Sequence, residues 1–183
     1  MTDAVQAELR AHPAAPPARV EAVKARLERV RRDRLLLRYE IACETDCVVL
    51  PPPGPAVRAD RLWETTCFEL FLRAPGRPDY LEINVSPSGR WAAYDFCAYR
   101  AGMVQAAVLA PPALSLSVKP RCIAADIELA LPLGEGPWRV GLCAIVEERG
   151  TGRSFWSASH GTAEPDFHHP GCFAQDLPPP PAP

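Results

Sequence analysis

Two glutamates, an asparagine and a tryptophan near the middle of the chain combine hydrogen-bonding groups with a flat apolar ring, the chemistry that holds a polyhydroxylated ligand. Glu69 sits in residues 66–73, where Phe68, Leu70 and Leu72 alternate with Cys67, Glu69 and Phe71. Glu82 and Asn84 sit in residues 80–86, where Leu81, Ile83 and Val85 alternate with Tyr80, Glu82, Asn84 and Ser86. Such alternation sends the two sets to opposite faces of a pleated strand. The Pro- and Gly-rich residues 74–79 between them read as a breaker, so the two runs form a hairpin. With both apolar sets on one side, Glu69 shares the other face with Glu82 and Asn84, because a one-residue slip would invert every side chain. A tight turn centred on Ser88 and Gly89 is expected to set Ser86 opposite Trp91, bringing Trp91, Ala93 and Asp95 to the same polar face. An indole that stacks and acceptors that take O–H donors suit a sugar ring. The solvated outer face of an ordinary antiparallel sheet carries the same alternation, so both readings stand. Glu69 and Glu82 also allow a glycosidase, which needs one raised pKa and a defined carboxyl separation. No nucleophile elbow, P-loop, dinucleotide fingerprint or HExxH helix accompanies them, so an enzyme has no support beyond the two carboxylates.

Residues 155–173, FWSASHGTAEPDFHHPGCF, hold three of the four histidines. His160, Asp166 and His168, with His169, are candidate metal ligands, although their spacing matches no zinc or EF-hand pattern. Met103 and His168 are a chemically allowed pair of axial haem ligands, without a CxxCH motif. The plainer alternative is a C-terminal loop packed on a sheet, its polar groups making caps and turns.

The elements that must position these groups are strands. Residues 35–43, 114–119, 123–131 and 138–147 alternate apolar with polar or small residues, and the turns between them are rich in Pro and Gly. The pattern predicts an all-β fold, an antiparallel β-sandwich of jelly-roll type. Residues 20–30 carry Val20, Val23, Leu27 and Val30 at helical spacing and read locally as a helix. Residues 1–19 and the Pro-rich 177–183 are expected to be flexible tails around one domain spanning 20–176.

With 20 Lys plus Arg against 22 Asp plus Glu, the net charge of −2 gives no electrostatic case for nucleic acid or an anionic membrane. The N-terminal stretch lacks an apolar h-region and carries Asp3, Glu8 and several prolines, so neither a signal peptide nor an anchor is expected and the cytoplasm is the expected location. Seven cysteines without CxxC spacing argue against a disulfide framework and a zinc ribbon and read as small core residues.

The blocks LWETTCFELFL, YLEINVSPSGRWAAYDF, AYRAGM and SFWSASHGTAEPDFHHPGCF together resemble the bacterial DOMON-like proteins, relatives of the family-9 carbohydrate-binding modules. The resemblance implies a β-sandwich with a pocket for sugar or haem, and it implies a strand, not a helix, over residues 20–30. It further implies that Trp63 and Glu69 contact a sugar and that Trp156, beside His160, closes an aromatic sandwich from the C-terminal end, leaving Trp91 as a pocket wall or core residue. Arg61 is placed to neutralise the carboxylates or hold an anionic substituent. The expected activity is therefore non-catalytic binding of a carbohydrate or sugar-containing metabolite by Arg61, Trp63, Glu69, Glu82, Asn84, Trp91, Trp156 and His160. Haem is the alternative cofactor, and no other is expected.

Overall fold

Period-two alternation turns about half of the chain into strands, and the computed structural model describes residues 4–180. In chain order the strands are β1 (Ala4–Ala11), β2 (Ala22–Arg31), β3 (Arg34–Ala42), β4 (Cys67–Arg73), β5 (Tyr80–Val85), β6 (Trp91–Phe96), β7 (Val104–Gln105), β8 (Ala110–Lys119), β9 (Cys122–Ala130), β10 (Trp138–Glu148), β11 (Gly152–Ser157) and β12 (Gln175–Leu177). Helix is confined, among the described residues, to three 3-10 turns at Thr45–Cys47, Leu62–Glu64 and Pro170–Cys172. No helix among them is long and apolar enough to cross a membrane.

The ladders between strands are antiparallel. One layer runs β1-β2-β3-β9-β8 and the other β7-β6-β5-β4-β10-β11, with β12 added against β10. Strand β1 belongs to both: residues 4–9 pair with β2, and Arg10 and Ala11 pair with Ser157 and Trp156 of β11. The chain is thus an all-β antiparallel sheet curled over itself into a sandwich, as the alternation predicts. Leu27, Leu37, Ile41 and Ile127 of the first layer meet Phe68, Leu70, Ile83 and Leu142 of the second in the central core. Burial of each such side chain is worth about 1.5–3 kcal/mol. Tyr39 crosses between the layers, its ring stacked on Phe68 at 4.9 Å and its hydroxyl donating to the Glu69 carbonyl at 2.7 Å.

Contrary to expectation, much of residues 1–19 is integral to the fold. Val5, Ala7, Leu9 and Ala11 of β1 pack on the core, a weak signal because two of the four are alanines. The segment after it is fixed by polar contacts: the buried Glu148 carboxylate accepts from the backbone N–H groups of Ala18, Arg19 and Val20 at 2.8, 2.5 and 3.1 Å. Leu177, expected to start a tail, is fully buried in β12. Residues 1–3 and 181–183 of the expected tails lie outside the described residues.

Residues 22–31 form a strand, as the resemblance implies and against their local helical spacing. Val23, Ala25, Leu27 and Arg29 point inward at period two. The pattern is hidden because Ala25 is small and Arg29 is charged. Arg29 is tolerated there because its guanidinium satisfies the carbonyls of Gly134, Gly136 and Arg32.

A second apolar cluster lies on the outer face of β4, β5, β6 and β10, where Phe71, Tyr80, Tyr94, Phe96 and Ile145 are covered by Phe167 and Phe173. The C-terminal segment after β11 is therefore a roof over one side of the sandwich.

Candidate ligand-binding site

Under that roof is a cavity of about 440 Å³, lined by Trp63, Glu69, Glu82, Tyr94, Phe96, Arg100, Met103, Ile145, Phe155, Pro165, Phe167 and His168. Its volume is within the range of small-molecule sites. Glu69 of β4 lies opposite Asn84 of β5, and Glu82 is two residues before Asn84, so the two carboxylates are diagonal neighbours on one face. They form the polar floor, and both are almost completely buried, at 3 % and 5 % exposure. Asn84 beneath them donates from Nδ2 to Glu82 Oε1 at 2.7 Å. Glu69 Oε1 and Asn84 Oδ1 have no hydrogen-bond partner. Such buried orphans are uncommon in folded proteins, and a polar ligand reaching this floor would find both oxygens free to accept.

Burial holds both acids far from their ordinary state. The Glu69 carboxyl is pushed well above the usual range, first by loss of solvation and then by Glu82. Burial raises Glu82 to about 7, against the opposing pull of the Asn84 hydrogen bond and the Arg100 charge. His168 Nε2 stands 3.9 Å from Glu82 Oε2, close enough to suggest an ion pair. Burial and Arg100, however, lower the imidazole to about 4, so it is neutral near pH 7, and 3.9 Å is beyond hydrogen-bond reach. Tyr80 Oη accepts from Arg100 N at 3.1 Å and shares a hydrogen bond with His168 Nδ1 at 2.8 Å.

The walls are held by long-range clamps. Asp166, in the roof, takes Arg100 Nη2 and Nε at 2.7 and 3.2 Å, the Tyr99 hydroxyl, and His168 N at 3.1 Å. Burial alone would raise Asp166, but these donors hold it below the usual range. Arg153 binds the Trp63 carbonyl at 3.0 Å and lies over the Phe155 ring at 5.7 Å. Trp63 itself meets Tyr94 edge-on at 6.5 Å.

The structure thus gathers Trp63, Glu69, Glu82, Met103 and His168 at one cavity with Asn84 below, and it places the other expected residues elsewhere. Trp91 is in the central core, 4 % exposed, with the Arg58 guanidinium 4.2 Å from its ring centroid. The turn before it has three loop residues: Ser86 N bonds Arg90 O, Gly89 N bonds Ser86 O, and Gly89 takes φ 88°. That geometry, a bulged turn closed by a left-handed glycine, pairs Val85 with Trp91 and shifts the register by one. Ala92, Tyr94 and Phe96 therefore face the site, and Trp91, Ala93 and Asp95 do not. Trp156 also points into the core, opposite Ala144, with its indole N–H on Ser154 Oγ at 2.8 Å. Its neighbour Phe155, opposite Ile145, is the ring that reaches the cavity. Arg61 is turned outward to Glu64, with Nε 2.8 Å from Oε1, and the cation at the cavity is Arg100. His160 is turned away to the Arg10 carbonyl at 2.8 Å and packs edge-on against His12.

The candidate metal ligands His160, Asp166 and His168 are not brought together: among the described residues no three His, Cys, Asp or Glu side chains are arranged to hold an ion. Asp166 is committed to Arg100 and Tyr99, and His160 to Arg10. The expected haem pair, Met103 and His168, shares the cavity, with His168 Nδ1 hydrogen-bonded to Tyr80 and Nε2 3.9 Å from Glu82. All seven cysteines are unpaired.

A larger hollow, about 530 Å³, lies on the outer face of β2, β3, β8 and β9. Its charges already satisfy one another, as in Arg38 with Asp126 at 2.7 Å and Arg34 with Glu128 at 2.7 Å, so it offers no group in need of a ligand.

No protein-family model and no curated protein matches the sequence. Among solved structures, the chain is similar to a protein of Bacteroides uniformis named as a candidate carbohydrate-binding protein, with TM-score 0.67 and 16 % identity over 93 % of this chain and 84 % of that one. It is more loosely similar to a family-9 carbohydrate-binding module from Caldicellulosiruptor kristjanssonii in its complexes with glucose and with cellotriose. Those matches have TM-scores of 0.42 and 0.41 and 13 % identity, covering 83 % of this chain and 74 % and 72 % of the module. At these identities the likeness is one of fold, and the fold shared with the Bacteroides protein is a two-layered antiparallel β-sandwich.

Proposed function

We propose that this domain binds a small carbohydrate or sugar-containing metabolite, without transforming it, in the cavity between β4, β5, β6, β10 and the C-terminal roof. The observation that carries this reading is the buried floor of Glu69 and Glu82, one oxygen of which has no partner, set beneath the rings of Trp63, Phe96, Phe155 and Phe167. Aromatic faces take the C–H surfaces of a sugar ring, and carboxylates take its hydroxyl protons. The similarity to a Bacteroides protein named for carbohydrate binding and the DOMON-like sequence blocks agree with it. A glycosidase needs its two carboxyl groups to flank the scissile bond. Glu69 and Glu82 rise from adjacent strands of one floor and approach a ligand from the same side, an arrangement for gripping.

Titration calorimetry against mono- and oligosaccharides is expected to detect binding that Glu69→Ala and Trp63→Ala each weaken by about tenfold or more. Unchanged affinity in both variants would remove the site assignment. Addition of haem is expected to produce no Soret shift at stoichiometric concentration.

A further inference from the structure

The polar inventory of this cavity is unbalanced. Two carboxyl groups face it, yet little is available to answer them. Glu82 Oε1 is satisfied by Asn84, while Oε2 looks toward His168 from 3.9 Å. Glu69, 3 % exposed, leaves Oε1 with no partner at all. Arg100 is the one Lys or Arg among the lining residues, and its Nε and Nη2 both go to Asp166. The Tyr94 hydroxyl is given away to Asp60 at 2.5 Å. What the floor lacks is a compact positive donor, and what surrounds it is a set of aromatic rings whose faces attract cations.

From this imbalance we infer that the ligand is an amino sugar, its protonated amine seated between Glu69 and Glu82 and its ring held against the aromatic walls. The inference rests on the sugar-binding reading and narrows it. An ammonium group brings three N–H donors and a positive charge into a site that holds an orphan acceptor and two acids. A neutral sugar offers hydroxyl donors but no positive charge to draw the two acids into their ionised form. A uronic acid would add a third carboxyl to a buried site already carrying two and is selected against. An N-acetylated amino sugar loses the charge and two of the donors.

The test compares ligands on the unaltered protein, so it does not depend on a variant folding. Glucosamine, glucose, N-acetylglucosamine and ethanolamine are titrated by calorimetry, below the pKa of the glucosamine amine. Glucosamine is expected to bind at least about tenfold tighter than glucose or N-acetylglucosamine. The preference is expected to shrink to within about twofold in the doubly substituted Glu69→Gln, Glu82→Gln protein, whose amides keep the shape and remove the charge. Glucose binding as tightly as glucosamine overturns the amine inference and leaves the sugar reading intact. Ethanolamine matching glucosamine overturns both, since the ring then contributes nothing. Failure of all four to bind likewise removes both.

Discussion

The two outer faces of this sandwich began from the same alternation and reached opposite ends. On β2, β3 and β9 the outward side chains are Arg26, Glu28, Arg38, Glu40, Asp126 and Glu128, linked in exposed ion pairs. On β4, β5 and β6 they are Glu69, Phe71, Glu82, Asn84, Tyr94 and Phe96, buried under residues that follow β11. Water does the work on the first face, solvating each charge and screening each pair. On the second face a roof clamped by Asp166 excludes water, so the same residue types become displaced acids and an orphan acceptor. A polar sheet face becomes a candidate site when something covers it without satisfying it.

The largest test of that contrast is packing. Phe71 is fully buried on the covered face, touching His168 at 5.3 Å and Phe173 at 6.0 Å between ring centroids. Phe71→Ala is expected to lose about 3–5 kcal/mol in urea unfolding. Leu36, 42 % exposed on the other face, should lose no more than about 0.5 kcal/mol as Leu36→Ala. Similar losses at the two positions would mean that the faces are not different in kind.

The next effect is one of pH. Glu82 titrates near 4.5 in the unfolded chain and at about 7 when folded, so between those values the folded state keeps a proton that the unfolded state has lost. Its contribution to stability therefore falls as pH rises through that window, by about 3 kcal/mol. His168, lowered from 6.5 to about 4, acts in the opposite sense: its contribution rises between pH 4 and 6.5. Glu69, also raised, acts in the same sense as Glu82, so the variant must be compared with the parent. Glu82→Gln is expected to gain stability relative to it as pH goes from 4.5 to 7. A pH-independent difference would show that Glu82 is solvated like the acids of the open face.

The strands carrying Glu69, Glu82 and Asn84 were legible because strict alternation and a hairpin fix their shared face whatever the length of the loop. Strand β6 was not, since its face depends on whether the Ser86–Arg90 turn holds an odd or even number of residues, which Pro87, Ser88 and Gly89 do not declare. The choice between Phe155 and Trp156 was hidden for another reason. Both are aromatic, and only the pairing of Ile145 with one and Ala144 with the other sorts them. The Arg100–Asp166 clamp joins residues 66 apart and leaves no local trace. Strand β1 is held by its ladders, and the segment after it by Glu148, more than by large side chains, so composition alone could not announce them.

A smaller effect sharpens that sorting of β11. Phe155→Ala is expected to weaken sugar binding by about tenfold with a modest change in stability, and Trp156→Phe to lower stability while leaving affinity within about twofold. The reverse outcome would return Trp156 to the site.

The smallest expected effect lies on the open face and bears on the comparison as a whole. Arg38 is the centre of its charge ladder, bonded to both Asp126 oxygens at 2.7 and 2.8 Å and to Glu40 at 2.9 Å. By geometry alone it rivals any contact in the cavity. Its side chain is nevertheless 44 % exposed, as is that of Glu40, and Asp126 is more so. Solvent and ions screen such pairs, and the entropy of holding long side chains offsets part of the rest. Arg38→Ala should thus change stability by no more than about 0.5 kcal/mol, the difference should vanish in 1 M salt where the screening length is about 3 Å, and sugar affinity should not move. A loss above about 2 kcal/mol that persists in salt, or any loss of affinity, would mean that this face also holds charges away from water, and the covered cavity would no longer be distinguished by what lies over it.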